Sequence, residues 1–280
     1  MLCENITLSD VFDFVPESTT GGVLHSYCRR TETGVRTEKR GAVIVLHGGG
    51  YFMRSMAEYE AVALRYLAAG YQAFTLDYSL LPAEHPQQLL ELAGAVAYVR
   101  ANAGKYNIDP DCIALSGFSA GSHLAALLAN KAHEDSFISL TGLSARDIRP
   151  DAVILAYPPT TFDSPADCRE MFKNLIGGSD EDSVLAQISP LHGVTGENAP
   201  AFIWHTFEDK TVPVQNSLLL AEALTAAGVH FELHIYPVGL HGLSLATEET
   251  ANSKPEYILP YVQGWIGRAC EFIKKYPVWR

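Results

Sequence analysis

The sequence predicts an α/β protein with a mainly parallel sheet that is covered by helices on both faces. Segments typical of buried strands alternate with segments typical of helices along most of the chain. Such alternation is characteristic of parallel sheets with crossover helices. The 280 residues contain no internal repeat and no low-complexity tract. We therefore expect a single domain over residues 1–280.

The strands are predicted from short apolar runs that end at turn-forming residues. The first two runs are expected to form an antiparallel entry to the sheet, and the later ones to lie parallel. In chain order the predicted strands are Ile6–Val15, Leu24–Arg30, Ala42–Leu46, Tyr71–Asp77, Ile113–Ser116, Ala152–Tyr157, Ala201–Thr206 and Val229–Tyr236.

The helices are predicted from longer runs, several of them rich in alanine and leucine. Gly70 and Gly228 each follow such a run, and glycine is a common residue at the C-terminal end of a helix. In chain order the predicted helices are Ala57–Ala69, Gln87–Ala103, Ala120–Lys131, Val214–Ala227 and Tyr257–Tyr276.

One long connection departs from this alternation. Residues 158–199 have only short helical stretches, and prolines and glycines interrupt them, namely Pro158, Pro159, Pro165, Gly177, Gly178 and Pro190. Connections of this length often carry binding roles. We expect this segment to form a small cap over the functional site.

The charge of the chain argues against a polyanionic partner. The net charge is −12, from 20 basic and 32 acidic residues. The densest basic group is interrupted by Glu32 and Glu38 and is typical of a solvated turn; it consists of Arg29, Arg30, Arg36, Lys39 and Arg40. We expect neither nucleic acid nor an anionic membrane as a partner, and a homo-oligomer is left open.

The cysteines and the N-terminus indicate a cytoplasmic protein. No CxxC pair and no Cys/His metal spacing occurs, so we expect unpaired thiols and no metal; the five cysteines are Cys3, Cys28, Cys112, Cys168 and Cys270. No basic residue precedes Arg29, and no sustained apolar stretch opens the chain. The sequence therefore predicts neither a signal peptide nor a membrane anchor.

The segment GFSAG at 117–121 is the strongest chemical signal. It follows an apolar strand and opens an Ala/Leu-rich helix, which is the context of a nucleophile elbow. Glycines on both sides let neighbouring segments approach closely, and the tight turn strains the backbone of Ser119. The Ser119 hydroxyl would stand at a helix N-terminus, where the dipole favours developing negative charge.

A serine nucleophile needs a base, and the base needs an orienting acid. His241 lies in the GLHG segment just after the last predicted strand, and Asp209 follows strand Ala201–Thr206. Both therefore fall at the sheet edge where Ser119 is expected, in the order serine, acid, histidine. Glu208 is the alternative acid. Among the other histidines, His205 and His234 are interpreted as structural, and His123 as a packing residue.

Three consecutive glycines predict an oxyanion-binding turn. The segment HGGG at 47–50 follows a buried strand, and glycines allow backbone amides to approach a bound oxyanion. The amides of Gly49 and Gly50, together with that of Ala120, are the predicted donors. Tyr51 and Phe118 are the candidate side chains that shape the substrate pocket.

These segments resemble known esterase motifs. HGGG at 47–50, DYSLLPAE at 77–84 and GFSAG at 117–121 are similar to the HGGG, DYRLAPE and GxSAG blocks of the hormone-sensitive-lipase-like esterases. The WHTFED segment at 204–209, continued through Val214, looks more like the acetyl-xylan/feruloyl-esterase-like branch of the α/β-hydrolase superfamily. Ser79 stands where the DYRLAPE block has its arginine, and the segment at 77–84 of this chain is one residue longer than that block.

The resemblance spans about residues 40–275 and implies the α/β-hydrolase fold. It also implies a carboxylesterase that acts on short acyl esters, among them acetylated sugars, without a cofactor. Two alternatives use the same fold. One is a small serine peptidase of the prolyl-oligopeptidase-like type, and the other is a non-catalytic ligand-binding protein.

Overall fold

The computed structural model describes residues 1–30, 38–163 and 166–275. Some positions in the predictions above lie outside these ranges. They are Glu32 and Arg36 of the basic group, Pro165 of the predicted cap, and Tyr276 at the end of the last predicted helix.

The eight strands in the described ranges form one sheet with the order β1-β2-β4-β3-β5-β6-β7-β8. They are β1 (Asn5–Thr7), β2 (Val23–Tyr27), β3 (Arg40–Leu46), β4 (Gln72–Asp77), β5 (Ile108–Phe118), β6 (Ala152–Ala156), β7 (Ala201–Thr206) and β8 (Phe231–Tyr236). Strand β2 is antiparallel to β1 and β4, and every other pair is parallel. The predicted α/β fold with a mainly parallel sheet is confirmed.

Ten α-helices occur in the same described part of the chain. They are α1 (Glu60–Ala68), α2 (Gln87–Ala101), α3 (Ala103–Tyr106), α4 (Ala120–Lys131), α5 (Asp135–Thr141), α6 (Ala145–Ile148), α7 (Arg169–Leu175), α8 (Asp182–Ile188), α9 (Gln215–Ala227) and α10 (Trp265–Lys275). Helices α2, α4 and α9 contribute to the apolar core on one face of the sheet, whereas α1 and α10 contribute to the core on the other.

Strand β3 explains why the central strands read as continuous apolar runs. Ala42, Ile44 and Leu46 belong to one core, whereas Val43 and Val45 belong to the other. All five side chains are fully buried. Since both faces of the sheet are covered, successive residues of a central strand are apolar whichever way they point.

Several element boundaries differ from the sequence prediction. Strand β5 begins at Ile108, because the turn-like residues 109–111 still extend alongside β3, where the register shifts between Arg40 and Ala42. The first strand ends at Thr7, where a 3₁₀ turn over Leu8–Asp10 follows. The last helix begins only at Trp265, because Pro260 interrupts the segment before it.

The first predicted helix is also shorter than expected. A 3₁₀ turn spans Met56–Glu58, and the α-helix begins only at Glu60. Tyr59 separates the two with φ −128° and ψ −110°, which is not helical. This interruption turns Glu58 away from the helix and into the protein, where its side chain is 2% exposed.

Helix α2 carries a fully buried carboxylate outside the functional site. Glu91 accepts a hydrogen bond from the Ser79 N–H at 2.7 Å and another from the Ser79 hydroxyl. Burial raises the pKa of Glu91 to about 7, although hydrogen bonds from Ser79 and Gln87 oppose this shift.

This buried carboxylate predicts a specific pH dependence of stability. Between its ordinary pKa near 4.5 and the raised value of about 7, the folded state keeps a proton that the unfolded state has released. The stabilising contribution of Glu91 is therefore complete below about pH 4.5 and is lost as the pH rises through about 7. The Glu91→Gln variant should gain about 3 kcal/mol of unfolding free energy relative to wild type across this interval.

Urea titrations at several pH values would measure this difference. The exposed Glu222 on α9 provides the control, since Glu222→Gln should track the wild type at every pH. A relative gain that is absent, or that favours the wild type at neutral pH, would contradict the predicted cost of ionising Glu91.

Candidate active site

Ser119 lies in a sharp turn between β5 and α4. Its backbone has φ 50° and ψ −117°, a conformation that non-glycine residues rarely adopt. A Cβ on Gly117 would lie 2.3 Å from the Gly121 carbonyl oxygen, and a Cβ on Gly121 would lie 2.3 Å from the Leu46 carbonyl oxygen. Only glycine fits these positions, so both flanking glycines of the GFSAG segment are required by close backbone approach.

Ser119, His241 and Asp209 form one chain of hydrogen bonds. His241 Nε2 lies 2.8 Å from Ser119 Oγ, and its Nδ1–H donates to Asp209 Oδ2 at 2.6 Å. Because the Asp209 carboxylate accepts the Nδ1–H, the imidazole proton stays on Nδ1, and Nε2 is free to accept the serine hydroxyl proton. The three residues follow β5, β8 and β7, whose carboxyl ends meet at one edge of the sheet.

Asp209 is held as an ionised group. Its Oδ1 accepts hydrogen bonds from the N–H groups of Thr211 and Val212, both at 2.9 Å. Burial of the carboxyl would raise its pKa, but hydrogen bonds from His205 and His241 outweigh this effect and hold the pKa well below its usual range.

His205 contacts Asp209, and the sequence did not indicate this contact. Its Nε2 faces the Val212 carbonyl oxygen at 2.9 Å and Asp209 Oδ2 at 3.3 Å. Both are acceptors, so Nε2 carries the proton and Nδ1 accepts from the Ser217 hydroxyl at 2.8 Å. The alternative acid, Glu208, is exposed and accepts from the Gly239 N–H at 3.4 Å.

The glycine turn lies beside Ser119. Gly49 and Gly50 line the same cleft as Ser119 and His241, and both have positive φ, 115° and 59°. The Gly49 carbonyl accepts from the Met53 N–H at 3.1 Å. Because the C=O and N–H of one peptide point in opposite directions, this contact fixes the direction of the Gly50 N–H.

Tyr51 does not line the cleft, contrary to the prediction. The left-handed turn at Gly50 and Tyr51 directs the Tyr51 side chain inward, where it is fully buried. His123 Nε2–H donates to the Ile188 carbonyl at 2.7 Å, so its Nδ1 accepts from the Tyr51 hydroxyl at 2.6 Å. Burial lowers the pKa of His123 to about 3, so this histidine is a neutral packing residue that anchors the turn.

Phe118 is likewise absent from the cleft wall. Its side chain is fully buried and packs against Tyr157 and Trp265, with ring centroids 6.1 Å and 5.8 Å away. The aromatic side chain that does face the cleft from the glycine turn is Phe52, which is 59% exposed. No local feature of the sequence distinguishes Phe52 from Tyr51 as the residue that faces the cleft.

The cleft has a volume of about 760 Å³, and both apolar and polar side chains line it. Phe52 and Met53 of the glycine turn form an apolar lip. The lining also includes polar and charged groups from the 158–199 segment and from the loop after His241, namely Asp167, Arg169, Glu170, Asn174, Asn252 and Lys254. The Asn174 side-chain amide also donates to the Gly50 carbonyl at 2.9 Å. Segment 158–199 therefore contacts the glycine turn directly.

No helix in the described ranges combines the length and the apolar character that crossing a membrane requires. Within residues 1–30, 38–163 and 166–275, no group of three or more His, Cys, Asp or Glu side chains could hold a metal ion. The five cysteines form no disulfide with one another.

Comparison with known proteins places these features in a family context. The BD-FAE family model matches residues 33–224. The chain is similar to endo-1,4-beta-xylanase B of Butyrivibrio fibrisolvens, with 34% identity over 82% of this chain and 35% of the relative. It is also similar to the acetylxylan esterase of Xylanibacter ruminicola, with 28% identity over 74% of this chain and 42% of the relative. The chain thus spans less than half the length of these curated relatives.

A solved structure matches over nearly its whole length. The acetyl ester-xyloside bifunctional hydrolase from Caldicellulosiruptor lactoaceticus has 34% sequence identity and a TM-score of 0.76. The match covers 91% of this chain and 88% of that one.

Proposed function

Since this chain belongs to the BD-FAE family, in the acetylxylan-esterase-like branch of the α/β hydrolases, we propose that it is a serine carboxylesterase that hydrolyses short-chain acyl esters, including acetylated sugars. The hydrogen-bond chain from Ser119 through His241 to Asp209 is the observation that carries this proposal. In the proposed enzyme, residues 1–280 are one domain, and residues 158–199 are a small cap over its cleft.

The proposed reaction is a two-step acyl transfer. Ser119 Oγ attacks the ester carbonyl carbon while His241 Nε2 takes the hydroxyl proton, and the same histidine then protonates the leaving alcohol. Asp209 holds the tautomer and stabilises the imidazolium. Water, deprotonated by His241, attacks the acyl-enzyme, and His241 then returns this proton to Ser119 Oγ as the acid is released.

The oxyanion that forms in each step is assigned to the backbone amides of Gly49, Gly50 and Ala120. Gly49 and Gly50 belong to the turn beside Ser119, and Ala120 is the first residue of α4, where the helix dipole favours negative charge. Because these donors are part of rigid backbone, they need no reorganisation when the charge appears.

The cleft supports a polar alcohol with a small acyl group. Charged and amide side chains from residues 167–174 and 252–254 line the cleft, where sugar hydroxyls could exchange hydrogen bonds with them. We expect kcat/KM to fall from p-nitrophenyl acetate to butyrate to octanoate, and acetylated xylo-oligosaccharides to be turned over by the wild type. Release of p-nitrophenol and of acetate measures the two activities.

The same assays would expose a wrong assignment. A preference for octanoate would overturn the short-chain proposal. Turnover of matched peptide amides without turnover of esters would instead identify a serine peptidase. Folded protein that hydrolyses neither class would favour a ligand-binding role.

A further inference from the structure

Glu58 is a buried carboxylate on the cleft wall that has no part in the reaction described above. Its side chain is 2% exposed, and its Oε2 accepts from the Gly48 N–H at 2.9 Å. A Cβ on Gly48 would lie 2.5 Å from Glu58 Oε2 and 3.1 Å from Ser119 Cβ. The carboxylate is therefore packed against the first residue of the glycine turn, directly beside the proposed nucleophile.

The second oxygen of this carboxylate contacts a different loop. Glu58 Oε1 accepts from the Tyr157 hydroxyl at 2.6 Å. The Tyr157 oxygen in turn accepts from the Ser244 N–H at 3.1 Å, and the Ser244 hydroxyl donates to the Ala57 carbonyl at 2.6 Å. Glu58 thus connects the glycine turn to the segment that follows His241.

Tyr157 also contacts His241 itself. The two rings meet edge to face, with centroids 4.9 Å apart. Tyr157 has φ 39° and Ser244 has φ 51°, so both backbones are held in the left-handed region that non-glycine residues rarely adopt. Such conformations persist only where surrounding contacts impose them.

A carboxyl group suits this position because each of its two oxygens accepts one hydrogen bond. The Gly48 N–H and the Tyr157 O–H are both donors, and one carboxylate satisfies them together. A glutamine has nearly the same shape but can offer an acceptor oxygen to only one of the two donors. The other donor would then face an NH₂ group.

We propose that Glu58 is a positioning residue that fixes the spacing between the oxyanion-binding turn at 48–50 and the histidine loop at 241–244. This inference rests on the proposed esterase function. It deepens that function by making the geometry of both loops depend on one side chain. Since misplacement of a catalytic group by about 1 Å can cost about 100-fold in rate, breaking this connection should be visible in turnover.

The Glu58→Gln variant is expected to lower kcat about 10- to 100-fold and to change KM by less than about 3-fold. The Tyr157→Phe variant, which keeps the ring on His241 but removes the hydroxyl, should lower kcat in the same direction. Glu91→Gln is the matched control. Glu91 is also a buried glutamate that accepts from a backbone N–H and from a hydroxyl, but it lies away from the cleft. This variant should leave kcat unchanged at mildly alkaline pH.

Binding of a boronic acid separates positioning from loss of folded protein. An alkylboronic acid forms a tetrahedral anion when the serine oxygen adds to its boron, so its Kd reports the oxyanion geometry. We expect its Kd in Glu58→Gln to rise by about the same factor as kcat/KM falls, whereas the Kd of the product carboxylate stays nearly constant. Concentrations are normalised by fluorophosphonate titration of the reactive serine.

The outcomes distinguish this inference from the proposed function. If Glu58→Gln and Tyr157→Phe both keep the wild-type kcat and boronate affinity per titrated site, the positioning role is overturned. The esterase proposal then remains intact. A fall in titratable sites alone, with normal kcat per site, would reduce Glu58 to a folding role. If the wild type itself neither reacts with fluorophosphonate nor hydrolyses esters, the function fails before the inference is reached.

Discussion

Replacing Ser119 with alanine is expected to abolish ester hydrolysis, lowering kcat by at least about 10⁴-fold, while the protein remains folded. The substitution removes only the hydroxyl group, whose oxygen contacts His241 Nε2 in the structure. Alanine keeps the Cβ and the same backbone restriction at φ 50°, so no new strain arises. Turnover of p-nitrophenyl acetate, together with a thermal unfolding curve, measures both parts of this expectation.

Ser116→Ala provides a matched control for this variant. Ser116 is a buried serine on the strand that leads to Ser119, but its hydroxyl bonds to the Tyr66 hydroxyl at 3.0 Å and does not face the cleft. Its loss should leave kcat per folded molecule unchanged. Substantial hydrolysis by Ser119→Ala, with the Ser116→Ala control active, would remove Ser119 from the mechanism.

The sequence predicted those elements whose local hydrophobic pattern agrees with their burial in the fold. Helix α4 and strand β7 occupy the predicted ranges Ala120–Lys131 and Ala201–Thr206. Every residue of these two elements is buried except Lys131, which ends α4. The meeting of Ser119, Asp209 and His241 could also be anticipated, because all three follow strands of a parallel sheet and so reach the same edge.

The sequence could not predict contacts that depend on distant parts of the chain. Glu58 lies within a run that has a helical pattern, and only the break at Tyr59 turns it toward Gly48. Its partner Tyr157 is 99 residues away, where it directly follows the apolar strand β6 without any local sign of a polar role. Tyr51 and Phe118 were wrongly assigned to the pocket, because the glycine turn and the inner core decide which way their rings point.

Replacing Asp209 with asparagine is expected to lower kcat about 10⁴-fold, through the tautomer of His241 rather than through its position. The Thr211 and Val212 N–H groups both donate to Oδ1, so an asparagine at this site must direct its carbonyl oxygen toward them. Its NH₂ group then faces His241 Nδ1 and donates to it. This arrangement places the imidazole proton on Nε2, so Nε2 can no longer accept the Ser119 proton.

The adjacent acid makes this prediction discriminating. Glu208→Gln removes the neighbouring carboxylate, which is exposed and contacts the Gly239 N–H at 3.4 Å, so kcat should stay within about twofold of wild type. Parallel measurement of kcat for both variants on p-nitrophenyl acetate compares the two candidate acids directly. The converse pattern, with Glu208→Gln inactive and Asp209→Asn active, would require a histidine loop rearranged around Glu208. The hydrogen bond of 2.6 Å between His241 Nδ1 and Asp209 Oδ2, together with the donors that fix Asp209 Oδ1, argues against that rearrangement.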